Sequence, residues 1–187
     1  MNVFILIITG MLAAGSALAQ KVVFANTISA DYRIFTNNGV ASGPMTGTNQ
    51  WRIGLYVGAQ GTPENSLVLV GLATNRSNPV LAGYFSGGNP FLLSSPYDVC
   101  GLPLTFQLRA WAFDGGLTYE EAIAIGVFSG KSSLGFTTPG CDTLPGILFG
   151  NFPGQVGAFT ISVPEPSTYA LGLLGVALFG LLRRRRL

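Results

Sequence analysis

The sequence predicts an all-β fold: a single antiparallel β-sandwich with one short helix, flanked by an N-terminal signal helix and a C-terminal transmembrane helix. Three observations carry this expectation. Between Gln20 and Ser162, short apolar runs alternate with clusters of Gly, Asn, Asp and Ser, the rhythm of strands joined by tight turns. The best of these runs, Leu104–Phe113, alternates with period two. Leu104, Phe106, Leu108, Ala110 and Ala112 share one face; Thr105, Gln107, Arg109, Trp111 and Phe113 share the other. The two ends differ in kind, being uncharged and apolar over long stretches. The 187 residues therefore divide into 1–19, 20–162 and 163–187, and the middle piece suits one domain.

Taken in order, Met1–Ala19 reads as a secretory signal. Val3–Leu12 is mostly apolar, and Ala17-Leu18-Ala19 is a small-residue cleavage site, so Gln20 is the expected mature N-terminus. No Lys or Arg precedes the apolar run, and an uncleaved helix is the alternative. Lys21–Ile28 is the first predicted strand. Trp51–Gly58 is the second, with Ile53, Leu55 and Val57 on one face and Arg52 and Tyr56 on the other. Leu67–Ala73 reads as fully buried. After Leu104–Phe113, the runs Ser132–Thr137 and Ala158–Val163 complete the set. Asn37-Asn38-Gly39, Ser86-Gly87-Gly88-Asn89 and Asp114-Gly115-Gly116 are predicted turns. Thr118-Tyr119-Glu120-Glu121 is a capping box, in which the Thr118 hydroxyl accepts from the Glu121 amide and Glu121 reaches back. It opens a short helix that Gly126 ends. The expected sandwich is immunoglobulin-like or jelly-roll-like.

The tail has three parts in fixed order: Pro164-Glu165-Pro166, an uncharged run from Thr168 to Leu182, and Arg183, Arg184, Arg185 and Arg186. Fifteen helical residues reach about 22 Å, short of a ~30 Å hydrocarbon core, so the run is a marginal span. Arginines clustered beside an apolar segment stay cytoplasmic, which places residues before Val163 outside. The prolines stiffen the outer flank. An ordinary single-pass anchor is one account of such a tail. The order of parts, however, closely resembles the PEP-CTERM sorting signal of exopolysaccharide-producing Gram-negative bacteria. That resemblance implies a membrane-embedded exosortase that recognises Pro164, Glu165 and Pro166 and processes the tail. Arg109-Ala110-Trp111, Gly116–Ala122, Gly130-Lys131-Ser132 and Phe136 are similar to the middle domain of many secreted proteins bearing this signal.

Composition closes off several chemistries. The chain has no histidine, which excludes Ser-His-Asp and Cys-His catalysis and His-ligated metals. Cys100 and Cys141 are too few for a four-thiolate zinc site. In an exported chain they read as a disulfide, with two reduced thiols as the alternative. Gly126–Ser132 is one residue short of a phosphate-binding loop and lies between a helix and a strand, the wrong context. Asp31, Asp98, Asp114 and Asp142 lack calcium-loop spacing. Neighbouring Glu120 and Glu121 point about 100° apart and cannot flank one glycosidic bond. No cofactor and no metal is expected.

Residues 20–162 carry six Lys or Arg and seven Asp or Glu. A nucleic-acid partner needs a basic face, and none is evident. The expected protein is non-enzymatic, exported, held briefly in the inner membrane with its C-terminus cytoplasmic, and then part of the cell surface or extracellular matrix. Its partners are an exosortase-type enzyme, the inner membrane and, as a candidate, exopolysaccharide. Trp51 and Trp111 are the candidate glycan contacts, making the alternative a carbohydrate-binding module. Trp111 is either a platform on an open sheet or a plug under the Thr118 helix. A hydrolase built on Asp114 with Glu120 or Glu121 is the remaining alternative.

Overall fold

The computed structural model describes residues 19–162, apart from 28, 38, 40, 48, 49, 77, 142 and 143. The signal segment up to Leu18 and the tail from Val163 lie outside the described residues. So do Ala17 of the cleavage site, Asp142, the Pro164-Glu165-Pro166 element and Arg183–Arg186. Among the described residues no helix is long and apolar enough to cross a membrane.

The order along the chain is β1 (Lys21–Ala25), β2 (Ile34–Asn37), β3 (Ser42–Pro44), β4 (Trp51–Ala59), β5 (Val68–Thr74), β6 (Ser86–Leu92), β7 (Leu104–Ala112), α1 (Tyr119–Ile125), β8 (Ser129–Lys131), β9 (Gly135–Thr137), β10 (Gly146–Ile147) and β11 (Phe159–Ser162). The fold is thus mostly strand with one short helix. A three-stranded sheet runs β10-β1-β6; a larger one runs β3-β2-β11-β8-β7-β4-β5, with β9 also on β7. Val22, Phe24 and Phe85 from the small-sheet side join Ile53, Leu55, Val57, Phe106, Leu108 and Ile161 in one apolar cluster. Edge-to-face contacts of Phe85 with Phe24 and Phe149, at 5.3 and 5.8 Å, bind its centre. Two sheets closing on one core are consistent with a sandwich.

The pairing is mixed, which corrects the expected all-antiparallel arrangement. β11 runs parallel to β2, and β10 runs parallel to β1. Parallel neighbours need a long crossover, and here the partners are separated by most of the domain. Period-two alternation specifies which side chains face inward, not which strand lies alongside or in what direction.

Other boundaries also move. Leu67–Ala73 is not fully buried: β5 is an edge strand, with Val68 54% and Leu72 41% exposed. Of the predicted run Ser132–Thr137 only Gly135–Thr137 is strand, β9; β8 ends just before the run, and both pair with β7. Ser86–Asn89 is not a turn but the start of β6, paired irregularly with β1. Strands β2, β3 and β10 were too short or too polar to register as periodic. The Thr118 capping box forms as expected, and Gly126 ends α1 in the left-handed region at φ 74°.

β7 is buried along its length except at Ala112. One face enters the main core. The other, which carries the polar residues of the alternation, is covered by α1 and the preceding turn, where Trp111, Tyr56, Tyr119, Leu67 and Ala122 form a second cluster. Beside it, Gly130 lets β8 approach β11 closely: a Cβ there would lie 2.2 Å from the Thr160 carbonyl oxygen.

Cys100 and Cys141 form a disulfide across 41 residues, with Cα atoms 5.6 Å apart. It ties the turn before β7 to the segment where Gly140 bridges Lys21 of β1. Closing a loop of that length contributes about 4 kcal/mol in the chain-entropy account. Non-reducing peptide mapping of the exported protein is therefore expected to return one Cys100–Cys141 peptide. The Cys100→Ser/Cys141→Ser variant should lose about 2–4 kcal/mol in a denaturant titration. Two free thiols in the exported chain would overturn both expectations.

Candidate functional site

The outer face of β7 carries an interlinked set of polar side chains. Arg109 sits there almost wholly buried, its side chain 6% exposed. A cation so placed needs full compensation. Its Nε donates to Gln107 Oε1 at 2.8 Å, Nη1 to Glu120 Oε1 at 2.5 Å, and Nη2 to the Glu64 carbonyl at 2.6 Å. The guanidinium also lies 4.1 Å from the Tyr56 ring centre and 5.5 Å from that of Tyr119. It thereby ties β7 to α1 and to the Glu64–Ser66 turn between β4 and β5.

Around it the polar groups are paired in turn. The Tyr56 hydroxyl donates to Glu120 Oε2 and accepts the Tyr119 amide, each at 3.0 Å. Gln107 Nε2 donates to the Ser132 carbonyl at 2.9 Å. Lys131, directly opposite Arg109 in the ladder, forms an ion pair with Glu64. Burial pushes the Tyr56 hydroxyl up to about 12, helped by its hydrogen bond to Glu120. Burial also raises Tyr119. The hydrogen bond from Lys131 holds the Glu64 carboxyl below its usual range. The result is an open cleft of about 390 Å³ whose charges are already matched, two cations against two carboxylates. Such a lining offers hydrogen bonds to a neutral polar molecule.

The residues singled out in the sequence are scattered rather than convergent. Trp111 is fully buried, its indole N–H donating to the Gly116 carbonyl at 3.2 Å and its ring edge-on to Tyr119. Of the two readings of Trp111, the plug under the helix is the one found, and the ring has no face left for a sugar, so it is not a glycan contact. Trp51 is half-buried against Phe128, with its indole N–H on the Thr46 carbonyl. Glu121 spends its carboxylate on the Leu117 and Thr118 amides, while Glu120 faces Arg109. Among the described residues, no group of three or more Asp, Glu or Cys could hold a metal ion. The Arg109 cluster itself was missed. Its signal was a cation and an amide, Gln107 and Arg109, on one face of the strand with the strongest apolar pattern.

The remaining functional element is the tail. β11 lies inside the large sheet, between β2 and β8, and its last residue, Ser162, pairs with Asn37 and Ser129. The model of the PEP-CTERM protein-sorting motif matches residues 162–186, beginning at that residue. This chain carries a PEP-CTERM sorting motif. No curated protein and no solved structure matches the chain. The PEP-CTERM motif marks a secreted protein that is membrane-anchored in transit, processed by an exosortase and sorted to the cell surface.

The Tyr56 geometry carries a pH dependence. The folded hydroxyl titrates near 12 and the unfolded one near 10, so folding favours the protonated form. That stability is complete below about pH 10 and is lost as pH rises towards 12, up to about 2–3 kcal/mol. Denaturation midpoints measured across this window should fall less steeply for Tyr56→Phe than for the native protein. Parallel curves would contradict the assignment.

Proposed function

We propose that this protein is a non-enzymatic component of the cell envelope or extracellular matrix, delivered by its PEP-CTERM tail. The observation that carries the proposal is continuity. The sorting motif begins at the last residue of an interior strand, so the cargo of the tail is the folded β domain itself. A signal segment starts export, the apolar run halts translocation, and Arg183–Arg186 keep the C-terminus in the cytoplasm. Exosortase processing at Pro164-Glu165-Pro166 then frees or re-anchors the domain. The Cys100–Cys141 disulfide supports life in an oxidising compartment.

Exopolysaccharide is the proposed matrix ligand, and the specific support is Phe136. It is 55% exposed and stands between two uncharged grooves. One is lined by Gln60, Thr62 and Thr105, the other by Thr137, Thr138 and Gln155. An exposed ring flanked by neutral hydrogen-bonding groups suits the apolar face and hydroxyls of a sugar.

Two measurements test this function. Deleting the exosortase gene should leave a longer, unprocessed protein in the inner membrane; unchanged size and location would refute the sorting half. In affinity gels cast with the host's own polysaccharide, the native protein should be retarded and Phe136→Ala should migrate freely. Equal migration of the two would refute the ligand half.

A further inference from the structure

The tail leaves the domain beside an apolar groove. Ser162 pairs with Ser129, Ser129 with Trp111, and Trp111 with Arg52, one row across β11, β8, β7 and β4. Three strand spacings make that row about 14 Å long. Phe128, Phe113 and Trp51 lie at its outer margin and, with their neighbours, line a groove of about 460 Å³. The connection from β7 to β8 starts and ends at this margin, and it displays Leu117 and Ile125 at 64% and 62% exposure. Phe113 is 45% exposed, with the Arg52 guanidinium 3.9 Å over its ring.

Chain length says what this face meets. Only residues 163–167 separate Ser162 from the apolar run that starts at Thr168. Five extended residues span at most about 18 Å. A domain of this size has a radius of gyration of about 14 Å and is wider than its tether is long. Headgroups occupy several ångströms of that short reach. The tether therefore keeps Ser162 within about 18 Å of the start of the apolar run, and the margin beside it is the part of the domain held nearest the bilayer.

We propose that in the anchored chain the margin carrying Trp51, Phe113 and Phe128, together with the exposed Leu117 and Ile125 of the adjoining β7–β8 connection, rests in the lipid headgroup layer. Aromatic rings favour that layer, and Arg52 is placed to meet lipid phosphates. The contact fixes the height and orientation at which Pro164-Glu165-Pro166 meets a membrane-embedded enzyme. The inference rests on the anchoring of the chain by its tail.

The test uses the full chain reconstituted in phosphatidylethanolamine–phosphatidylglycerol vesicles. Lipids spin-labelled at the headgroup should quench its tryptophan emission, and Trp51→Phe should abolish the quenching because Trp111 is fully buried. Phe113→Ser/Leu117→Ser/Ile125→Ser alters only exposed positions and should lose the quenching while still floating with the vesicles. Phe136→Ser, on β9 against the start of β7, should keep it. Flotation of the native chain without quenching overturns this inference alone. Failure to float overturns the anchoring as well. A triple variant that is processed more slowly in cells, when native Trp51 is not quenched by lipid, would assign the face to a protein contact and overturn the bilayer proposal.

Discussion

The structure depends on one strand being buried on both faces. β7 holds the middle of the large sheet, with β4 on one side and β8 and β9 on the other, so its backbone groups are satisfied on both edges. Its inner side chains are ordinary core. Its outer side chains include Gln107, Arg109 and Trp111, which cannot be covered by an apolar lid alone. α1 and the Glu64–Ser66 turn solve this by bringing Glu120, the Tyr119 ring and a backbone carbonyl to the buried guanidinium, which also lies over Tyr56 of β4. The helix is held less by its own seven residues, too few to be stable alone, than by what it closes over.

That arrangement changes the meaning of the polar residues. A charged cluster in a cleft invites a catalytic reading, yet each charge near Arg109 already has a partner in the chain. Removing one partner would strand a buried cation, a cost of about 3–5 kcal/mol for well-buried pairs, less here because the Glu120 side chain is 59% exposed. The cluster is accounted for as a fastening between helix, turn and sheet. The surfaces left over for partners are of another kind: uncharged grooves around Phe136 and an apolar margin around Phe113.

The position of β11 links the fold to the sorting tail. A terminal strand at a sheet edge could peel away under tension from a membrane anchor. β11 instead lies between β2 and β8, and Ile161 is fully buried. The last described pairings, Ser162 with Asn37 and Ser129, sit two residues from Pro164 in the sequence. The folded domain thus reaches to within two residues of the Pro-Glu-Pro element in sequence.

Much of this was legible in the residues. The three-part tail, the disulfide, the capping box at Thr118 and the inward faces of β4 and β7 each follow from chemistry that acts over a few residues or from composition alone. A Pro-Glu-Pro element, an apolar run and four arginines mean the same thing in any fold, because the membrane supplies the context. Strand partners did not follow. The parallel neighbours of β1 and β2, the edge exposure of β5, the burial of Trp111 and the compensation of Arg109 arise from segments far apart in sequence. Alternation fixes the side a residue faces, but only packing decides whether that side meets solvent, a second sheet or a helix.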